Sequence, residues 1–238
     1  MNRLAMMVLK NLHVLPGIYS KLSYNAKHTD TVPEIEKYRH IQSMLKRAVK
    51  AGNVDLQVFG RENIPAENGF LLVGNHQGLF DVVSVVVTCD NPIGAVYKKE
   101  LEGKPLIDPI AKCTHSFAMD REDARQSLTV IQAVTEEMKK GRNYLIFPEG
   151  TRSKNGNQMG DFHGGSFRCA VKAKAPILTF AVIDTHMVLD GKGSGPISAQ
   201  LHYLPPIPYE EYKDLKTVEL AAMVKERIGK VIAENEGK

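Results

Sequence analysis

The chain has 238 residues, 43% of them hydrophobic and 24% charged, which predicts a packed globular core and excludes disorder throughout. Its 19 glycines and 12 prolines exclude a collagen-like or low-complexity chain, and its three cysteines, without CxxC spacing, indicate neither a disulfide framework nor a thiolate zinc site. Residues 1–50 carry nine basic and three acidic side chains, a net charge of +6, whereas the whole chain has a net charge of +4. We therefore expect a basic N-terminal arm that meets an anionic surface. Nucleic acid and acidic lipid are both candidates for that surface, and the absence of tryptophan and the few aromatic residues beside the basic ones disfavour a platform that stacks single-stranded bases. The partner that we expect from the whole sequence is a membrane surface with anionic lipids, not nucleic acid.

The first predicted element is a helix over residues 1–15 that ends at Pro16-Gly17. Helical spacing places Arg3 and Lys10 nearly opposite an apolar face. That face contains Leu4, Val8, Leu12 and Leu15. Fifteen helical residues reach about 22 Å, which is too short for a hydrocarbon core of about 30 Å. Since no small-x-small cleavage site follows, a signal peptide is not expected either.

A second helix is predicted over residues 33–50, with Pro33 in its first turn. One side is apolar and contains Tyr38, Ile41, Leu45 and Val49. The other side is basic and contains Lys37, Arg39, Lys46, Arg47 and Lys50. Two interpretations stay open: a two-helix arm that lies on anionic lipid, or two ordinary amphipathic helices packed on the main domain. We favour the membrane arm, which predicts a peripheral, monotopic protein on the cytoplasmic face of the cell membrane.

Residues 53–238 form the predicted main domain, and residues 1–52 the arm. Short apolar runs predict strands at 56–59, 70–74, 94–97, 116–119, 144–147, 177–183 and 199–203. Amphipathic segments predict helices at about 80–89, 106–113, 123–140, 166–174 and 218–235. This alternation is typical of a single layered α/β domain with a central, largely parallel or mixed sheet flanked by helices. The stretch 153–165, rich in Gly, Ser and Asn, is expected to be a mobile loop beside a site.

The first candidate site follows the strand that ends at Gly74. His76 lies in a predicted strand-to-helix turn, where α/β folds bind ligands, and Asp81 lies five residues later in the next helix. From there the Asp81 carboxylate can hold one imidazole nitrogen and leave the other free as a general base. The alternative interpretation is a loop histidine near an exposed helical aspartate.

The second candidate site follows the strand at 144–147 and reads Pro148-Glu149-Gly150-Thr151-Arg152-Ser153. Gly150 permits a close approach of the backbone to a ligand, and the Arg152 guanidinium suits a phosphate group. Glu149 would orient a hydroxyl or a nearby cation. The alternative interpretation is a polar turn with a surface ion pair.

The two stretches together resemble the signature blocks of the glycerolipid acyltransferase family, of the bacterial 1-acyl-sn-glycerol-3-phosphate acyltransferase type. Asn75-His76-x-x-x-x-Asp81 resembles the first block and 147–153 the third. Met119-Asp120-Arg121 and Ala175-Pro176-Ile177 resemble the second and fourth, and Tyr97-Lys98-Lys99-Glu100-Leu101 resembles a segment between the first two blocks. The resemblance covers about residues 53–205. The chain departs from the family pattern at His163, where members often have lysine, and at the start of the second block, which lacks the usual glycine.

The resemblance implies that His76, supported by Asp81, deprotonates an acceptor hydroxyl as it attacks an acyl thioester, with no acyl-enzyme. It further implies that Arg121, Arg152 and Lys98 hold the acceptor phosphate, and that Glu149 places the glycerol group. Gly150 and Thr151 complete the substrate-binding segment, and the backbone N–H of Gly150 is expected to face the developing oxyanion. The implied acceptor is lysophosphatidic acid, and the donor is acyl-CoA or acyl carrier protein. No separate cofactor and no metal are expected.

Three alternatives remain at this point. The same mechanism can serve glycerol 3-phosphate or another lysolipid as acceptor. The chain can also be a non-catalytic lipid-binding module that retains the His/Asp pair. A serine hydrolase is disfavoured, because the sequence has no G-x-S-x-G motif.

Overall fold

A computed structural model describes residues 2–191 and 193–237 of the protein. Within these residues, seven strands form one mixed sheet. They are β1 (Val54–Phe59), β2 (Leu71–Gly74), β3 (Ile93–Lys98), β4 (Phe117–Met119), β5 (Asn143–Ile146), β6 (Ile177–Ile183) and β7 (Ile197–Tyr203). The ends of each strand lie within two residues of the predicted ends, so the predicted α/β sheet is confirmed.

The strand order is β1-β7-β6-β2-β5-β3-β4. Only the β6–β7 pair is antiparallel in the described sheet; β2 to β6 all run in one direction, and β1 and β7 run in the other. The carboxyl ends of the five parallel strands therefore share one edge of the sheet. This arrangement brings together the segments that follow β2, β3, β4 and β5, which contain the residues singled out in the sequence.

Ten helices accompany the sheet in the described part of the chain. They are α1 (Arg3–Asn11), α2 (Leu15–Lys27), α3 (Glu34–Ala51), α4 (Leu79–Thr88), α5 (Ile107–Cys113), α6 (Ala124–Lys139), α7 (Arg168–Ala173), α8 (His186–Leu189), α9 (Tyr209–Tyr212) and α10 (Thr217–Asn235). The five helices predicted for the main domain are confirmed as α4, α5, α6, α7 and α10.

Helices cover both faces of the sheet. Because successive side chains of a strand point to opposite faces, each strand contributes apolar residues to two hydrophobic cores, one on each face. Leu71 and Val73 of β2 pack with α6, α7 and α10, whereas Leu72 packs with α3, α4 and α5. Buried residues of the arm, Leu22 and Tyr38, belong to that second core. The arm therefore packs on the main domain through α2 and α3.

The N-terminal segment differs from the prediction, because three helices replace the expected two. Helix α1 ends at Asn11, and Pro16-Gly17 lies in the first turn of α2 instead of terminating a helix. A proline is tolerated in a first turn, where its missing N–H would have no helical partner. The predicted helix over 33–50 is confirmed as α3.

Two basic residues expected on the lipid-facing surface are instead buried. Arg3 is 4% exposed and donates hydrogen bonds to the carbonyls of Gly52, Val188 and Gly195. Lys37 is 1% exposed and donates to the carbonyl of Thr29. Arg3 therefore fastens the arm to the main domain, whereas Lys37 joins α3 to the connection between α2 and α3 within the arm.

The outer face of α1 is apolar and exposed. Three large side chains of α1 are exposed, Leu4, Val8 and Leu9, as is Leu12 in the turn that follows. Met6 and Met7 are buried against the protein. Among the described residues, no helix has the length and apolar character needed to cross a membrane.

Candidate active site

The turn after β2 begins at Asn75, whose side chain continues the pairing between β2 and β6. Its amide donates to the carbonyl of Val182 and accepts from the N–H of the same residue, at 2.9 and 2.8 Å. Asn75 is buried, so the polar ends of its amide are satisfied by this backbone pair. The contact fixes the position at which the chain leaves the sheet, one residue before His76.

Asp81 holds the ring of His76. Its Oδ2 lies 2.7 Å from His76 Nδ1 and accepts the N–H groups of Gln77 and Gly78 at 2.6 and 2.9 Å. Its Oδ1 accepts the hydroxyl of Thr185 at 2.5 Å. Because Nδ1 faces a carboxylate, it carries the ring proton, and Nε2 is left with a lone pair. The expected His/Asp pairing is therefore present.

The His76 ring stacks on Phe147, with ring centroids 3.9 Å apart and an interplanar angle of 14°. The His76 side chain is 13% exposed, whereas that of Asp81 is fully buried. The ring is thus held on one side by the aromatic face and on one edge by the carboxylate. Its remaining accessible surface can receive a substrate proton.

Glu149 connects the turns that follow β2 and β5. Its Oε1 accepts the N–H of His76 and its Oε2 accepts the N–H of Gly160, both at 2.7 Å. Burial raises the pKa of the Glu149 carboxyl, while the two N–H donors act in the opposite direction. Glu149 therefore positions the backbone of the turn that contains His76, a role that the sequence did not predict.

Gly150 differs from its expected role. Its N–H donates to the carbonyl of Phe147 at 3.1 Å and closes the turn after β5, so in this conformation it does not point at an oxyanion. Its φ of +68° lies in the left-handed region, where a side chain is disfavoured. Glycine at this position is thus explained by the turn.

A cleft of about 580 Å³ opens beside this turn, between α6 and the segment before α7. Its apolar lining includes Val96, Met119, Leu128, Ile131, Ile146 and Phe147. Its polar lining includes Arg121, Glu149, Thr151, His163, Ser166 and Arg168. The volume is in the range of small-molecule sites, and the mixed lining suits a ligand with an apolar chain and an anionic end.

The loop at 153–165 lies beside the site, as expected, and is fastened to it at several points. The Ser153 N–H donates to the carbonyl of His76 at 2.7 Å. The Asn157 side chain accepts from Gln77 at 2.7 Å and donates to Asp184 at 2.9 Å. These bonds connect the loop to the turn that contains His76 and to the segment that follows β6.

Comparisons with known proteins agree with this geometry. A family model described as Acyltransferase matches residues 55–183, more than half of the chain. The chain belongs to the glycerolipid acyltransferase family. Two relatives are named 1-acyl-sn-glycerol-3-phosphate acyltransferase. The one from Salmonella typhimurium is 31% identical, and the match covers 75% of this chain and 74% of the relative. The one from Escherichia coli is 30% identical, and the match covers 69% of this chain and 67% of the relative.

A solved structure shares the fold of this acyltransferase. It is the crystal structure of the 1-acyl-sn-glycerophosphate (LPA) acyltransferase from Thermotoga maritima, which matches with a TM-score of 0.76. The match covers 99% of this chain and 98% of the other, at 20% sequence identity. The likeness therefore extends over the N-terminal helices as well as the main domain.

The predicted site residues of the acyltransferase fall into two groups. Arg121, Glu149, Gly150 and Thr151 line the cleft beside the His/Asp pair, together with Phe147. The other four are not among the described residues that line it. Two of them are His76 and Asp81, and the His76 ring stacks on Phe147, which does line the cleft. The other two are Lys98 and Arg152. Both are exposed, and Lys98 Nζ lies 2.8 Å from a carboxylate oxygen of Glu100. The phosphate-binding role expected of these two residues has no support from the cleft geometry.

Three contributing residues were not predicted. Thr185 and Gln77 support Asp81, through the Thr185 hydroxyl and the backbone N–H of Gln77. Arg168 lines the cleft from the first turn of α7. No motif marks Arg168 or Thr185, although Thr185 follows the end of β6, so only the folded chain brings them to the site. The described residues contain no group of three or more His, Cys, Asp or Glu side chains suited to a metal ion.

Proposed function

We propose that this acyltransferase transfers an acyl group from acyl-CoA or acyl carrier protein to the sn-2 hydroxyl of 1-acyl-glycerol 3-phosphate and forms phosphatidic acid. The names of the relatives support this acceptor. The observation that carries the proposal is the 2.7 Å contact between Asp81 Oδ2 and His76 Nδ1, in which the His76 ring stacks on Phe147, a lining residue of the amphiphilic cleft.

The proposed reaction proceeds in two proton-coupled steps. His76 Nε2 accepts the proton of the acceptor hydroxyl as that oxygen attacks the carbonyl carbon of the thioester. The tetrahedral intermediate then collapses, the C–S bond breaks, and the imidazolium returns the proton to the departing thiolate. Asp81 stabilises the imidazolium between the steps. The products are an ester and a free thiol, and no residue becomes acylated; the thioester is a co-substrate, and we propose no further cofactor.

The cleft lining supports an amphiphilic acceptor. The apolar side chains contributed by β3, β4, β5 and α6 can surround an acyl chain, and a guanidinium such as that of Arg121 can bind phosphate in a bidentate manner. Desolvation lowers the pKa of Arg121, but an arginine remains charged at neutral pH.

We also propose that the enzyme works as a peripheral protein on the cytoplasmic face of the membrane. The exposed leucines of α1 and the basic, exposed face of α3 support this location, since acyl boundary and anionic headgroups match those two surfaces. Both the single-chain acceptor and the two-chain product reside at a membrane surface.

The test is to supply purified protein with lysophosphatidic acid and a series of acyl thioesters and to identify the lipid product by mass. We expect phosphatidic acid and equimolar free thiol. The variant His76→Ala should lose at least about 10²-fold to 10⁴-fold in turnover while folding normally, because the general base is removed. His28→Ala, which changes an exposed histidine at the end of α2, is the matched control.

Each of the other possible outcomes would indicate a different function or mechanism for this protein. Acylation of glycerol 3-phosphate or a neutral lysolipid in preference to lysophosphatidic acid would change the acceptor and keep the mechanism. If the His76→Ala variant still consumes the thioester, His76 is not the general base. Lipid binding without any release of thiol would indicate a lipid-binding module.

A further inference from the structure

Two arginines without acidic partners line the same cleft. Arg121 follows β4, and Arg168 begins α7 after the 3-10 turn Gly164–Phe167. Within residues 2–191 and 193–237, neither guanidinium has a carboxylate oxygen within 4.0 Å, whereas the guanidinium groups of Arg61 and Arg142 do. Glu100, which acts on Arg121 from a distance, is itself paired with Lys98 at 2.8 Å.

The charge inventory of the cleft favours an anionic ligand. Its one carboxylate among the described lining residues is Glu149, and both oxygens of Glu149 already accept backbone N–H groups. His163 adds a further nitrogen donor or acceptor. The two guanidinium groups therefore outnumber the single carboxylate of the cleft, and neither is ion-paired with it, in a pocket whose other walls are largely apolar.

We propose that Arg168, together with Arg121, binds the phosphate monoester of the acceptor and makes the enzyme prefer phosphate-bearing acceptors. The inference rests on the proposed function and assigns its phosphate contact to a residue outside the recognised motifs. Guanidinium groups bind phosphate through paired, charge-assisted hydrogen bonds. Lys98 and Arg152 are the weaker candidates, because neither is among the described residues that line the cleft.

CoA also carries phosphate groups, so the donor is a second source of the same chemistry. The experiment measures KM and kcat for Arg168→Gln and Arg168→Lys with four substrate pairs. The acceptors are lysophosphatidic acid and monoacylglycerol; the donors are acyl-CoA and an acyl N-acetylcysteamine thioester, which has no phosphate. Arg125→Gln is the matched control, since Arg125 is an exposed arginine of α6 that is not among the described lining residues.

We expect Arg168→Gln to raise the KM for lysophosphatidic acid by about tenfold to hundredfold, the loss typical of a charge-assisted contact, with kcat little changed. The rise should be the same with either donor and absent for monoacylglycerol. Arg168→Lys should show a smaller rise, because it keeps the charge and loses the planar fork. Since Arg168 is exposed, its variants should keep the thermal unfolding midpoint of the wild type.

Three results would overturn the inference while the proposed function stands: an unchanged KM for lysophosphatidic acid, an equal rise for both acceptors, or a rise that appears only with acyl-CoA. Calorimetric binding of lysophosphatidic acid to wild type and Arg168→Gln separates the two claims. Wild type that binds this lipid better than the variant, yet never acylates it, would refute the proposed function and keep the phosphate site.

Discussion

At the scale of single residues, the Asp81 carboxylate stabilises the fold and, in the proposed reaction, also orients the base. Its Oδ2 accepts the N–H groups that precede α4 and so caps that helix. The same oxygen orients His76, and Thr185 from the end of β6 holds the second oxygen. Because the cap fixes the carboxylate before substrate arrives, the imidazole needs no reorganisation to act as a base.

Thr179 is the opposite case, a buried polar group with nothing to bind. It lies within β6, fully buried, and its hydroxyl has no hydrogen-bond partner among the described residues. We expect Thr179→Val to raise the free energy of unfolding by about 1 kcal/mol, because valine has nearly the same shape and removes the cost of an unsatisfied hydroxyl. Denaturant unfolding measures the change.

Thr135→Val is the control for that substitution. Thr135 is also buried, but its hydroxyl donates to the carbonyl of Ile131 at 2.7 Å, so valine there should give no gain. Equal effects of the two substitutions would show that the unsatisfied hydroxyl at 179 carries no penalty.

At the scale of elements, α1 is held by the Arg3 side chain. Its guanidinium reaches the carbonyls of Gly52, Val188 and Gly195, which come from three separate segments. We expect Arg3→Met to release α1, so amide hydrogen exchange over residues 3–11 should speed up while the strands keep their protection. Mass spectrometry of peptides from the exchanged protein measures both.

Lys10→Met is the matched control on the same helix, because Lys10 is exposed. It should leave exchange in α1 unchanged. Slow exchange of residues 3–11 in the Arg3 variant would mean that the buried methionines, Met6 and Met7, hold the helix without the guanidinium.

The sheet is the part of the fold that sequence patterns predict well, because buried strands such as β2 and β6 are short apolar runs between turn residues. The His76–Asp81 contact was predictable for a related reason: five residues across a strand-to-helix turn determine the geometry locally. Arg3 and Arg168 show what such patterns miss. The acceptors of Arg3 lie 49 to 192 residues away, and the cleft around Arg168 is assembled from β3, β4, β5 and α6, so neither environment leaves a local signal.

At the scale of the whole molecule, the helix that is proposed to meet the membrane lies close to the catalytic edge. Helix α8 follows β6 at the carboxyl edge of the parallel strands, and Arg3 of α1 binds the Val188 carbonyl of α8. His186 of α8 lies next to Gln77, the neighbour of the proposed base His76. A lipid surface that contacts α1 would therefore lie near the site that takes up a lipid acceptor.

This arrangement predicts how binding to vesicles should respond to substitution. Leu4 and Leu12 are 50% and 58% exposed, so the double variant Leu4→Gln/Leu12→Gln should fold normally. We expect its binding to vesicles that contain anionic lipid to weaken by about tenfold to hundredfold, because two apolar side chains no longer leave water. Added salt should further weaken the vesicle binding of both wild type and variant, because salt screens the attraction between the basic residues of α3 and anionic headgroups.

Sedimentation with vesicles measures the affinity, and Val218→Gln, at a 73% exposed position on α10, is the control. Equal binding of wild type and the double variant would place the membrane contact elsewhere on the protein.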